Sequence, residues 1–313
     1  MGKRRNKKKQ RLKFIRSVIT LCIAILIGLF SAIFKPWENQ NADIGTTDNL
    51  DPNQLQVHYI DMGQADSILI RVPTENAMKN ILIDAGTSKG YDAKTLINYL
   101  KNRNIDTLDY MIITHPHTDH VRAADDVIKS FHIENMILPE CEATQEVWAD
   151  MLEAMEAKNL GYIPSEIGDT YQVGDASFEI LGPVDPSKVK EANDYSVVIR
   201  LDYGETSFLF TGDATVESEK EMLKVHSASK FKCDVLKVGH HGSATSTGEA
   251  FLAAANPTLA IISCGTDNEY GHPTQTILDR LAEANTKLLR TDLEGTIIIC
   301  SDKQEVNHYT PSN

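Results

Sequence analysis

The chain has little of what would mark several common protein classes. It has five widely spaced cysteines in 313 residues and no C-x-x-C pair, so a disulfide framework is not indicated, while a single disulfide stays open. Cys22 lies in an apolar run and Cys141 stands apart. Cys233, Cys264 and Cys300 fall in or beside apolar strands, where buried free thiols are expected. Ser243 follows a histidine pair but has no nucleophile elbow around it, so a serine hydrolase is not indicated. Low-complexity segments are absent. Basic residues are scarce past the start: the ten Lys and Arg through Lys35 leave 21 against 44 acids, a charge near −23 over the remainder. Such a body repels polyanions and argues against an extended duplex-binding surface. It leaves room for cleavage of a short end or a small phosphodiester.

Long apolar runs are scarce too, and the one present is at the start. Residues 1–16 carry nine Lys or Arg and no acid, and residues 17–34 carry no charge. That pattern predicts a basic cytoplasmic tail (1–16) and a single transmembrane anchor (17–34), with the rest of the chain extracytoplasmic at the cell membrane. A cleaved signal peptide is the competing reading, but no A-x-A site follows the run. Residues 35–54 are polar and rich in Asn, Asp, Gly and Pro, as in a linker, and Trp37 is placed to meet the lipid–water interface. Residues 55–313 are long enough for one two-layered domain.

Within that domain the sequence turns on His115-Pro116-His117-Thr118-Asp119-His120. These residues follow Tyr110-Met111-Ile112-Ile113, which reads as a buried strand. Two imidazoles two residues apart at a strand end point the same way. Four metal-binding side chains within six residues suit Zn²⁺ or a neighbouring first-row ion. Other apolar strands end at Asp84, at Asp213 and before His240-His241. Adjacent strand residues point oppositely, so a regular strand would not aim both histidines at one ion. Tyr91 to Arg103 reads as a helix, as does 142–160 with Val147, Met151, Leu152, Met155 and Leu160 at core spacing. His58 alternates with apolar neighbours and reads as structural.

The H-x-H-x-D-H motif, with Asp84, Thr211-Gly212-Asp213, Gly239-His240-His241-Gly242-Ser243 and Tyr270-Gly271-His272-Pro273, resembles the metallo-β-lactamase fold superfamily. Within it the series looks like ComEC-type competence metallohydrolase domains and phosphorylcholine esterases. The resemblance implies an α/β (α+β), four-layered αββα sandwich. It implies one or two Zn²⁺ ions, with Mn²⁺ as an alternative, held by His115, His117, Asp119, His120, Asp213 and His241, with Asp213 bridging. It gives Asp119 and His240 catalytic roles, His240 as the substrate or proton-transfer partner. The reverse assignment of His240 and His241 stays open, since the turn geometry decides it. Asn193, Ser196, Tyr270 and His272 are candidate substrate contacts, and Gln64, Asp66 and Asp84 candidate supports behind the ligands.

Two departures stand out. Val121-Arg122-Ala123-Ala124 replaces the usual Gly-Gly after the motif. Between His120 and Asp213 the only histidine is His132, at a helix-to-strand junction, so one metal site has fewer protein ligands. The implied activity is hydrolysis of phosphodiesters by a metal-bound hydroxide. The substrate would be nucleic acid or a cell-envelope phosphocholine or teichoic-acid-like group, and no protein partner can be inferred. A β-lactam or lactone hydrolase, and a non-catalytic binding protein of the same fold, are the alternatives. Lys220, Lys224, Lys230, Lys232 and Lys237 form the one basic cluster, and their convergence near His241 would favour a nucleic-acid track.

Overall fold

Period-two alternation of apolar residues builds two sheets, packed face to face through their apolar sides. A computed structural model of the protein describes residues 50–309. The expected tail, the anchor and all but the last five residues of the linker lie outside the described residues. Among the described residues no helix is long and apolar enough to cross a membrane.

The strands are β1 (Leu55–Tyr59), β2 (Ile68–Pro73), β3 (Met78–Ile83), β4 (Thr107–Ile112), β5 (His132–Leu138), β6 (Ile163–Pro164), β7 (Thr170–Val173) and β8 (Ala176–Gly182). After them come β9 (Val198–Tyr203), β10 (Thr206–Phe210), β11 (Val235–Lys237), β12 (Leu259–Ile262), β13 (Lys287–Arg290), β14 (Ile297–Ser301) and β15 (Val306–Tyr309). One sheet runs β15-β14-β1-β2-β3-β4-β5-β6 and the other β13-β12-β11-β10-β9-β8-β7. Val57, Tyr59, Ile70 and Ile83 of the first meet Ile199, Leu201, Phe208 and Phe210 of the second in one buried cluster. Burying such side chains is worth roughly 1.5–3 kcal/mol each, which holds the sheets together.

Helices cover both outer faces. On the first sheet lie α1 (Ala93–Lys101), the short α2 (Thr118–Val121), α3 (Ala124–Ser130) and α4 (Glu146–Ala157). Leu96, Tyr99 and Leu100 are the buried side of α1, and Tyr99 meets His58 of β1 across a 2.8 Å hydrogen bond, so His58 is structural. In α4 the buried stripe is Trp148, Met151, Ala154 and Met155. Val147 is half-buried and Leu152 is 40 % exposed, because the helix presents a face rotated from the expected one. On the second sheet lie α5 (Val216–Val225), α6 (Glu249–Ala255) and α7 (Gln275–Glu283), while a one-turn α8 (Thr291–Glu294) links β13 to β14. Met222, Phe251, Leu252, Ile277 and Leu281 close a second apolar cluster with Leu209, Leu236 and Ile262. The arrangement is the αββα sandwich. Cys141, Cys233, Cys264 and Cys300 are all free thiols.

The pairings decide where chemistry can gather. β3 is parallel to β4, and β10, β11 and β12 are mutually parallel. Parallel neighbours bring their C-terminal ends out on one edge, and the loops beyond β3, β4, β10, β11 and β12 meet there.

Candidate metal centre

Each of those strand ends delivers one part of the centre. β3 ends into Asp84, whose φ of 59° turns the chain sharply, a conformation Asp tolerates better than most residues. Gly86 follows, and a Cβ there would stand 1.6 Å from the Asp119 carbonyl oxygen, so only glycine lets this loop lie against α2. β4 runs into His115 and His117, and Asp119 and His120 sit on α2. β10 delivers Asp213. β11 runs into a turn in which His240 and His241 both have positive φ, 50° and 53°. That left-handed turn removes the strand alternation, and both rings reach the Asp213 carboxylate.

Asp213 lies between two groups of side chains. His115, His117 and Asp213 offer ligand atoms within 4.8 Å of one another, and so do Asp119, His120, His241 and Asp213. His120 Nε2 is 3.3 Å and His241 Nε2 3.9 Å from Asp213 Oδ1, while His115 Nε2 is 3.8 Å and His240 Nε2 3.6 Å from Oδ2. His241 Nε2 is 3.2 Å from Asp119 Oδ2. The Nε2 atoms of His120 and His241 and both carboxylate oxygens of Asp213 are buried with no hydrogen-bond partner. Buried polar atoms are normally satisfied. Four orphans converging on one point fit a site built for cations, and the N,O donor set suits one or two divalent metal ions.

The rings are aimed from behind. Asp84 Oδ2 accepts from His120 Nδ1 at 2.7 Å and from the Thr114 hydroxyl at 2.8 Å, and Oδ1 accepts from Thr114 N at 2.8 Å. Thr114 Oγ1 in turn lies 3.1 Å from His115 Nδ1. His241 Nδ1 donates to the Ser263 carbonyl at 2.9 Å. In each case Nδ1 carries the proton and Nε2 is free to bind metal. His240 differs. Its Nδ1 faces the Asn193 side-chain nitrogen at 3.4 Å and Thr245 Oγ1 at 3.3 Å. An amide nitrogen only donates, so with Asn193 oriented this way the ring proton of His240 sits on Nε2, toward Asp213.

Charge follows the same division. Burial alone would lower the pKa of His120, but Asp213 and Asp84 together raise it well above the ordinary value. Burial would raise Asp213, yet His120 and His241 hold it well below the usual carboxylate range. Burial keeps His240 low, and it pushes His272 down to about 4. Neutral His240 and His272 thus flank the cleft; inside, burial also keeps His115 low, while His120 and His241 are the rings whose protons a cation would displace.

A cleft of about 310 Å³ opens onto this point, lined by Gln64, His117, Thr118, Asp119, Asp213, His240, His241, Tyr270 and His272. Tyr270 is 63 % exposed and stacks on His272, 5.8 Å between ring centres. Gln64 Oε1 accepts from Gly265 N at 3.0 Å, tying the first turn to the loop that carries those two rings. Ser196 is fully buried, behind the histidines: its Oγ accepts from Asp213 N at 3.0 Å and lies 3.4 Å from His115 Nδ1. Asp66 lies behind His241, 3.7 Å from Nδ1. A larger hollow of about 670 Å³ lies along β5 and includes His132 but none of these residues.

Several participants escape motif reading. Thr114 and Lys237 carry signals, a hydroxyl beside the motif and a lone charge in an apolar strand. The Ser263 carbonyl carries none. The convergence of lysines that would favour a nucleic-acid track is not seen among the described residues. Lys237 is fully buried against Asp66, and Lys220, Lys224 and Lys230 pair with Glu217, Glu221 and Glu179.

Comparison with known proteins agrees with the geometry. Residues 60–266 match the family profile described as the metallo-beta-lactamase superfamily. The chain is 34 % identical over 256 residues to ComE operon protein 3 of Bacillus subtilis, covering 77 % of this chain and 32 % of that protein. It is 30 % identical over 297 residues to Recombination protein 2 of Haemophilus influenzae, covering 93 % and 32 %. The chain thus spans about a third of the length of these relatives. Among solved structures, the metallo-beta-lactamase fold protein YhfI of Bacillus subtilis superposes with a TM-score of 0.51 at 12 % identity, covering 80 % of this chain and all of that one. The chain therefore belongs to the metallo-beta-lactamase superfamily.

Proposed function

We propose that the protein is a metal-dependent hydrolase of phosphodiesters. The observation that carries this is Asp213, whose two buried, unpartnered oxygens each face a different set of histidines. In this reading His115, His117 and Asp213 hold one ion, and Asp119, His120, His241 and Asp213 hold the other. When bound, such cations acidify a water and offset charge on the attacking and leaving oxygens of an in-line displacement. The chain does the rest. Asp84 fixes the ring orientation of His120 directly and of His115 through Thr114. His240, neutral and with its proton on Nε2, donates to a phosphoryl or leaving oxygen in the cleft. Tyr270 and His272 flank the group attached to that phosphate.

The charge distribution supports a small or single-ended substrate over a long polyanion. One phosphate can be held by local metal charge without a basic track, and here three of the five lysines are paired and one is buried. A cell-envelope phosphodiester and a nucleic-acid end both meet that description. The sequence supports an anchor at residues 17–34 with the hydrolase domain outside the cell. External protease on intact cells should then remove the domain, and protection until lysis would overturn the placement.

The direct test is elemental analysis beside turnover of bis-p-nitrophenyl phosphate and nitrocefin. Bound Zn²⁺ or Mn²⁺ with diester turnover is expected. Nitrocefin turnover alone would favour a β-lactam hydrolase, and metal without turnover a binding protein.

A further inference from the structure

The loop after the histidine pair is tied down on two sides. Ser243 N donates to the His240 carbonyl at 2.8 Å, and the chain returns so that Gly239 N donates to Thr247 Oγ1 at 3.0 Å. The peptides of residues 246–248 then lie between two charged side chains from different helices. Glu219 on α5, 1 % exposed, accepts Thr247 N on Oε1 at 2.5 Å and Gly248 N on Oε2 at 2.8 Å. Arg280 on α7 donates from Nη1 to the Thr247 carbonyl at 2.5 Å and the Ser246 carbonyl at 3.3 Å. Val216 N adds a bond to the Thr245 carbonyl at 2.8 Å. Thr247 has a φ of 50°, which a β-branched residue keeps only where its surroundings impose it.

We propose that Glu219 and Arg280 clamp residues 246–248 and thereby set the positions of His240 and His241, making Glu219 a positioning residue for the metal centre. This rests on His241 being a metal ligand. The mechanical link is short. Thr247 is hydrogen-bonded to Gly239, the residue before the pair, and His240 and His241 keep their left-handed turn only while the returning loop holds its place. Two consecutive amides need two acceptor oxygens. A carboxylate offers both, whereas a glutamine offers one and strands the other amide.

Protonation would have the same effect as that substitution. Burial pushes the Glu219 carboxyl up to about 7, against the two amide bonds and the charges of Arg280 from α7 and Lys220 on its own helix. From α6 and the loop it meets backbone amides. Above that pH both oxygens accept; below it one becomes a hydroxyl and an amide loses its partner.

The experiment compares the full chain with Glu219→Gln, Glu219→Asp and Arg280→Lys, measuring zinc content, kcat and KM for bis-p-nitrophenyl phosphate, and the pH profile. Glu219→Gln should lower metal affinity and kcat about tenfold or more, as removing a support behind a ligand does, with little change in KM. Its activity should no longer fall on the acid side of neutrality as the wild type's does. Glu219→Asp, which keeps the charge, should restore part of kcat and the acid limb. Arg280→Lys should show a smaller loss with the limb in place. A folded Glu219→Gln protein with wild-type metal content, kcat and pH profile would overturn the clamp. If that variant does not fold, wild-type metal affinity and kcat in Arg280→Lys overturn it instead. A wild-type chain that holds no metal overturns the metal-centre reading, and the clamp's role with it.

Discussion

Lys237 and Asp66 form a 2.8 Å ion pair sealed between the two sheets, each side chain about 1 % exposed. The lysine also donates to its neighbour's carbonyl, that of Val238, at 3.0 Å. It sits at the end of β11, one turn before His240 and His241, and Asp66 leads into β2, so the pair joins the sheets under the metal centre. It also sets a cation among four buried or part-buried carboxylates, Asp66, Asp84, Asp119 and Asp213.

Lys237→Met should therefore destabilise the fold strongly. It leaves Asp66 buried without a counter-charge, and breaking such a pair costs about 3–5 kcal/mol. Adding Asp66→Asn should recover much of the loss, because the two residues act as one unit. Urea denaturation of the single and double variants measures this. A loss under about 1 kcal/mol in Lys237→Met would mean that the pair contributes nothing net.

Asp84 offers a cleaner test of ring orientation. Asn also tolerates the left-handed backbone at this position, so Asp84→Asn changes the acceptor and leaves the turn intact. With the side-chain oxygen kept on Thr114 N, the amide nitrogen would face His120 Nδ1. The ring must then move its proton to Nε2 and lose its free lone pair. Metal affinity should fall about 10–100-fold while the melting temperature changes little. Competition with a chromogenic chelator reads this directly, and unchanged affinity would remove Asp84 from the centre.

Asp213→Ala tests the shared carboxylate. Because its two oxygens face both groups of histidines, the substitution should lower metal content and diester turnover together. Unchanged stoichiometry by elemental analysis would count against a bridging role, and loss of one ion only would assign Asp213 to a single site.

Much of this was legible in the sequence for a physical reason. The motif residues lie at ends of apolar strands, and strand ends are where side chains leave a core to meet a ligand. Alternation around His58 marked β1, apolar runs marked the strands that end at Asp84, the motif, Asp213 and the histidine pair, and parallel pairing brought their ends together. The His240-His241 geometry was not legible, because a left-handed turn at two consecutive non-glycine residues has no local signature. The face of α4 was misplaced because Val147 and Leu152 fit a helical stripe as well as Trp148 and Ala154 do, and only packing against the sheet chooses between them. Whether the lysine cluster converges was left open by the sequence for a related reason. Linear proximity says nothing of partners, and Glu179, which pairs Lys230, is 51 residues away in sequence.

That pairing shapes the last prediction, which separates a polynucleotide track from a local phosphate site. A protein that follows a nucleic-acid backbone releases counterions in proportion to the phosphates it neutralises, and its binding falls steeply with salt. Here Lys220 and Lys224 pair with acids on their own helix, Lys230 with Glu179, and Lys237 is buried, which leaves Lys232 as the exposed member of the cluster without an acidic partner among the described residues. Turnover of bis-p-nitrophenyl phosphate should therefore vary little with salt. Any cleavage of single-stranded DNA should show a shallow slope, of about one or two phosphates. Removing charge at Lys230 and Lys232 together should change DNA cleavage less than twofold at moderate salt, since neither lines the cleft. Steep salt sensitivity that disappears in that double variant would show a backbone track, and the small-substrate reading would then have to give way.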